Sequence, residues 1–134
     1  MIGVVIAAHG DLAQELLKTS EFILGPQEAI EALTVDPAQP VEKMQADIKR
    51  AISRVDQGHG VLVLTDMFGG TPANMTLSFL EEGRVEVITG VNLPMMIRLS
   101  QCRDGKEMTL KEAAQSVVDY GRKSINQASS LLNG

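Results

Sequence analysis

The stretch Ile2-Gly3-Val4-Val5-Ile6-Ala7-Ala8-His9-Gly10-Asp11 decides the architecture. Ile2–Ala8 is almost continuously apolar, as a strand covered on both faces must be, because its side chains alternate between two buried surfaces. The change to His9-Gly10-Asp11 marks the strand's carboxyl end and the entry to a turn. The run has no basic flank of the kind a secretion signal carries, and no segment approaches the ~18 apolar residues of a membrane span. A second run, Val61–Leu64, has the same character and leads into Thr65-Asp66-Met67-Phe68-Gly69-Gly70-Thr71-Pro72. Ile30–Val35 is weaker, and Val85–Ile88 is interrupted by Glu86, so both suit the edges of a sheet.

Segments of helical period separate these runs. Leu12, Leu16, Leu17, Ile23 and Leu24 define one apolar face, ended by Gly25-Pro26. Val41, Met44, Ile48, Ala51, Ile52 and Val55 define another, starting near Pro40 and stopping at Gly58. Thr71-Pro72 opens a third helix, expected to run through Leu80, and a short fourth starts around Asn92–Pro94. Thr109 can close a capping box with Glu112 before Ala113, Ala114, Val117, Val118 and Ile125. The order βαβαβαβα predicts an α/β fold: one doubly wound domain over residues 1–134, its sheet mostly parallel, in order 2-1-3-4, with helices on both faces. No linker, repeat or low-complexity tract breaks it.

Composition narrows the partners. A chain of 134 residues with 44% hydrophobic and 22% charged residues can bury a core without disulfide or metal support. The net charge of −5 argues against nucleic acid or an anionic membrane as the main partner, while favouring the approach of a basic protein. With Cys102 as its one cysteine the chain has no disulfide framework, so a reduced, cytoplasmic setting is expected. Two histidines and one cysteine without ligand spacing give no support for a metal, and no cofactor is expected.

In an open α/β sheet, sites form beyond the carboxyl ends of the strands, where the strand order reverses. If the order is 2-1-3-4, strands one and three are neighbours and His9 and Asp66 face each other across that reversal. A neutral imidazole attacks phosphorus through its unprotonated nitrogen, so the other nitrogen must hold the proton. A carboxylate accepting that N–H fixes the tautomer and supports the positive charge that grows on the ring, a role for which Asp66 is placed, although a strand-end histidine can equally be structural and such a carboxylate a solvated turn or cap. Phosphoryl transfer depends mainly on positioning and charge stabilisation. Backbone N–H groups of Gly69, Gly70 and Thr71 could cradle the anion above a helix N-terminus, with Gly10 beginning another beside His9. The hydroxyls of Thr65 and Thr71 add possible donors, and no lysine or arginine lies in these loops.

Other residues are set aside. His59, in Gly58-His59-Gly60, precedes the third strand and so falls at the far end of the sheet, where it reads as a surface turn. Cys102 has no histidine in its loop and reads as core packing. The seven methionines fall mostly on apolar faces, although Met67, Met95 and Met96 flank the proposed site and could instead form an adaptable partner surface. Neither a Gly-x-x-x-x-Gly-Lys-Ser/Thr loop nor a Gly-x-Gly-x-x-Gly turn after the first strand is present, against a nucleotide-binding role.

These motifs resemble the IIA domains of the mannose family of the bacterial phosphoenolpyruvate-dependent sugar phosphotransferase system. The likeness runs from Met1 to about Tyr120 and rests on the early His9-Gly10, on Thr-Asp-Met-Phe-Gly-Gly-Thr-Pro-Ala-Asn at 65–74, and on Gly-Val-Asn-Leu-Pro-Met at 90–95. It implies that His9 receives a phosphoryl group from the histidine-containing phosphocarrier protein and passes it to a IIB component. Asp66 would orient His9, and the loop 69–71 would surround the phosphoryl group. The resemblance also implies a cytoplasmic homodimer that meets the membrane only indirectly, through other components of the system. Ser124–Leu131 is then either a strand crossing to the partner subunit or further helix. Ala73 departs from the family, where a larger residue, often phenylalanine, is common. The sequence carries no alanine- and proline-rich linker and no IIB domain, so a separate IIB protein is expected, or none if the chain is a regulatory phosphoprotein. The phosphotransfer subunit of dihydroxyacetone kinase shares an early histidine but generally lacks a loop like 66–72.

Overall fold

The computed structural model describes residues 1–67 and 71–132, the side chains of 71–73 excepted. Its elements alternate along the chain: β1 (Gly3–His9), α1 (Leu12–Leu24), β2 (Ile30–Val35), α2 (Val41–Val55), β3 (Val61–Thr65), α3 (Thr71–Leu77), β4 (Val85–Thr89), α4 (Leu93–Cys102), α5 (Leu110–Lys123) and α6 (Ala128–Leu132). The four strands form one sheet in the order β2-β1-β3-β4, as expected, and every pairing within it is parallel.

Alternation along β1 explains why its sequence is apolar throughout. Ile2, Val4, Ile6 and Ala8 join Leu62, Leu64 and Ile88 in a core closed by Ala13 of α1, Met96 and Leu99 of α4, and Ala113 and Val117 of α5. Val5, Val61 and Val63 face Ala51 and Val55 of α2, while Ala7 packs with Met44, Ile48 and Met75. Helices therefore cover both faces. The β1 and β3 side chains inside these layers are essentially inaccessible, and each fully buried Val, Leu or Ile contributes about 1.5–3 kcal/mol.

Helix ends follow local chemistry. Thr109 caps α5 by accepting the Glu112 N–H at 3.2 Å, while the Glu112 carboxylate accepts the Thr109 N–H at 3.0 Å, the reciprocal box that the sequence predicts. The third helix differs from expectation, since α3 ends at Leu77 rather than Leu80. The Ser78 hydroxyl takes the Met75 carbonyl at 2.6 Å, and the chain tightens into i→i+3 bonds from Ser78, Phe79 and Leu80 N–H groups. On α1 the covered stripe is Ala13, Leu16, Leu17 and Ser20, at helical spacing, but Leu12, Ile23 and Leu24 at its two ends stand exposed.

One buried cation was not singled out from the sequence. Arg103 is only 5% exposed, and its guanidinium donates to the carbonyls of Ile2 and Ala29, both at 3.0 Å. The Ile2 N–H returns a 2.7 Å bond to the Arg103 carbonyl. Burial lowers the Arg103 pKa from its ordinary value, yet the paired carbonyls tie the amino ends of β1 and β2 together. Beyond α5, the segment that the sequence left open contains the short helix α6, with Ile125, Leu131 and Leu132 well exposed. Among the described residues no helix is long and apolar enough to cross a membrane.

Candidate functional site

His9 is the last residue of β1, and Asp66 follows the last residue of β3. Parallel pairing of these strands aligns Ala7 with Thr65, which brings both polar residues to the same sheet edge. The His9 ring Nδ1 lies 2.8 Å from Asp66 Oδ2, and the same oxygen accepts the His9 backbone N–H at 3.1 Å. A carboxylate can only accept, so Nδ1 carries a ring proton, and in the neutral ring Nε2 presents its lone pair. The His9 side chain is 41% exposed while that of Asp66 is only 15% exposed, so the holding group is sheltered and the ring can be reached.

Burial pushes the Asp66 carboxyl upward, but the bonds from the His9 ring and the His9 N–H outweigh it and hold the pKa below its ordinary value. The acid thus remains ionised and ready to balance a positive ring. Gly10, the next residue, has φ of +57°, a left-handed conformation that a residue with Cβ adopts only at a cost. That turn starts α1 close to His9, and Asp11 at its N-cap makes no side-chain capping bond.

Thr65 stands behind Asp66. Its side chain is buried, and its hydroxyl has no hydrogen-bond partner among the described residues. Its carbonyl accepts the Val91 N–H at 2.9 Å, which ties the loop after β4 to the end of β3. Asn92 in that loop caps α4 by accepting the Met95 N–H at 3.0 Å. Gly69 and Gly70 lie outside the described residues, as does the Thr71 side chain, although the Thr71 backbone begins α3.

The three methionines beside the site divide between the two readings. Met67 is 55% exposed, but Met95 and Met96 are in the core, because the first turns of α4 lie against the sheet and α5. His59 is exposed before β3, with Nδ1 3.2 Å from the Met1 amine, at the end of the sheet remote from His9. Cys102 is buried, its thiol pKa raised by desolvation, and its sulfur contacts the Arg98 carbonyl at 3.4 Å. Among the described residues no three His, Cys, Asp or Glu groups converge as a metal site would require.

Comparison with known proteins meets this geometry. Residues 3–118 match the family EIIA-man, described as the PTS system fructose IIA component. The chain belongs to this family. It is 30% identical over 133 residues to the fructose-specific EIIA component of Bacillus subtilis (strain 168), an alignment covering 98% of this chain and 90% of that protein. It is also 33% identical over 125 residues to the mannose-specific EIIAB component of Escherichia coli (strain K12), covering 92% of this chain but only 38% of that longer protein. Among solved structures, the PTS IIA protein associated with the fucose utilization operon of Streptococcus pneumoniae superimposes with a TM-score of 0.83 at 28% identity, covering 97% of this chain and 95% of the other. The EIIA-man chain is accordingly a IIA component of the sugar phosphotransferase system, and the likeness extends through the loops that frame His9 and Asp66.

Proposed function

We propose that this IIA protein carries a phosphoryl group on Nε2 of His9, between the histidine-containing phosphocarrier protein and a IIB component. The observation that carries the reading is the 2.8 Å bond from Nδ1 to a sheltered carboxylate on a ring that remains 41% exposed. The Nε2 lone pair forms a bond to phosphorus as the phosphorus–nitrogen bond of the incoming phosphohistidine breaks. The electron pair of that bond returns to the donor's ring. The Nδ1 proton stays on His9, and Asp66 balances the charge that the ring acquires. Transfer to the IIB component reverses these steps, so the enzyme is a phosphotransferase that needs no cofactor.

Neutral donors suit a carrier that must release its cargo. N–H groups of Gly10, Gly69, Gly70 and Thr71 are assigned to the phosphoryl oxygens, with the hydroxyl of Thr65, unpartnered among the described residues, and that of Thr71 as further donors. The net charge of −5 favours a basic protein donor at the exposed ring. Residues 1–134 act as one cytoplasmic IIA domain that reaches the membrane only through other components. A homodimer is supported by two features: β4 pairs only with β3 among the described residues, and the exposed apolar side chains Ile125, Leu131 and Leu132 follow α5.

Incubation with phosphoenolpyruvate, enzyme I and the histidine-containing phosphocarrier should place an acid-labile phosphoryl group on the wild type and none on His9→Ala. Far-ultraviolet dichroism of the variant should be unchanged. Label retained by a folded His9→Ala protein would remove His9 from the reaction. Added IIB protein should then discharge the wild type.

A further inference from the structure

We infer that Thr34, at the end of β2, is a positioning residue for His9, acting through the carbonyl of Gly10 in a relay that begins at Gln14. The inference rests on the phosphocarrier reading of His9. The Thr34 hydroxyl donates to the Gly10 carbonyl at 2.9 Å and accepts from the Gln14 side-chain amide, also at 2.9 Å. A hydroxyl has a single proton, so the direction of this chain is determined: Gln14 N–H to Thr34 oxygen, Thr34 O–H to Gly10 oxygen.

The consequence is a grip on the dipeptide His9-Gly10 from two sides. Strand pairing aligns Ala8 with Thr34 and His9 with Val35, so β2 ends beside the turn. Thr34 shares the alternation of Ile30 and Ala32, which pack on the α1 side of the sheet. His9 shares that of Val5 and Ala7, which face α2 and its neighbours. Asp66 therefore holds the His9 N–H and ring, while Thr34 holds the Gly10 carbonyl from the other face. Gly10 at φ +57° is the point where the backbone turns most freely. A built Cβ there would meet nothing within 4 Å, so no packed neighbour flanks the Gly10 α-carbon on that side, and the Thr34 bond to its carbonyl is a restraint on the turn. Releasing the carbonyl lets the turn rock, and the direction of Nε2 changes with it.

The test compares Thr34→Val, which keeps shape and removes the hydroxyl, with Thr34→Ser, which keeps the hydroxyl. With the phosphorylated histidine phosphocarrier as donor, Thr34→Val should lower kcat about fivefold at unchanged KM, the effect of a slightly misdirected reacting atom. Thr34→Ser should stay within about twofold of wild type, as one retained hydroxyl bond allows. Nitrogen-15 spectra of the unphosphorylated His9 ring give a readout independent of transfer. Wild type and Thr34→Ser should show one Nδ1–H tautomer, and Thr34→Val an averaged spectrum. A Thr34→Val protein with wild-type kcat and ring spectrum would overturn the inference, as would a change confined to KM or equal loss in both variants. Failure of the wild type to accept phosphoryl would instead strike the phosphocarrier reading, while the ring spectra would still decide whether Thr34 orients His9.

Discussion

Replacing Asp66 by Asn removes one charge and almost no volume, so it isolates what the carboxylate does for the His9 ring. One oxygen, Oδ2, receives both the Nδ1–H at 2.8 Å and the His9 backbone N–H at 3.1 Å. A backbone N–H can never accept, so the variant should keep its amide oxygen at this place and preserve the ring tautomer. The loss is then mainly electrostatic. A unit charge about 4 Å from a charged ring, at an effective dielectric near 20, is worth about 4 kcal/mol. Exposure of the ring to solvent roughly halves this, leaving about 2 kcal/mol in the transition state. Transfer to His9 should slow about thirtyfold, since 1.36 kcal/mol corresponds to tenfold. Rapid-quench measurement of phosphohistidine formation reads the rate directly. A wild-type rate would refute the reasoning, and a loss beyond about a thousandfold would show the amide turned and the wrong tautomer present. Stability carries a matching sign. The folded pKa of Asp66 lies below its ordinary value of 3.8, so its contribution is complete above that value and is lost as pH falls through the folded one. The stability gap between wild type and Asp66→Asn should therefore close in acid, not in alkali.

Two further predictions concern the scaffold. A Cβ at Gly3 would collide with the Val55 backbone carbonyl, which cannot rotate away, so Gly3→Ala should lose about 3 kcal/mol in urea unfolding. Gly121→Ala meets mainly the flexible Met95 side chain and should lose less, about 1 kcal/mol; equal losses would contradict the packing argument. Arg103→Met leaves the Ile2 and Ala29 carbonyls without their guanidinium partners and should lose about 2–4 kcal/mol, with His9 phosphorylation retained in the folded fraction. An unchanged midpoint would show that the buried guanidinium contributes nothing to stability.

Much of the frame was legible along the chain because it depends on short-range periodicity. Ile2–Ala8 and Val61–Leu64 had to be central strands, since apolar residues at both parities need cover on both faces. The capping box at Thr109 and Glu112 was equally readable, because both partners lie within one turn. The end of α3 falls three residues short of the apolar pattern, which continues to Leu80, because Ser78 competes for the Met75 carbonyl. Core or surface was not legible for Met95 and Met96, because sequence proximity to a loop says nothing about which way a helix face turns.

The amino-acid order by itself determined the types of the elements from β1 to α5 and the polar, glycine-bearing loops that follow the strands, because alternation and helical period are properties of neighbours in the chain; the sheet order it anticipated is fixed only by pairing between distant strands. Tertiary structure alone decided that a single Asp66 oxygen holds His9 twice, that Thr34 holds the next carbonyl, and that Arg103 is buried on two others. These contacts join residues from 24 to 101 positions apart, and their lengths follow from strand register and layer spacing, which no local pattern encodes.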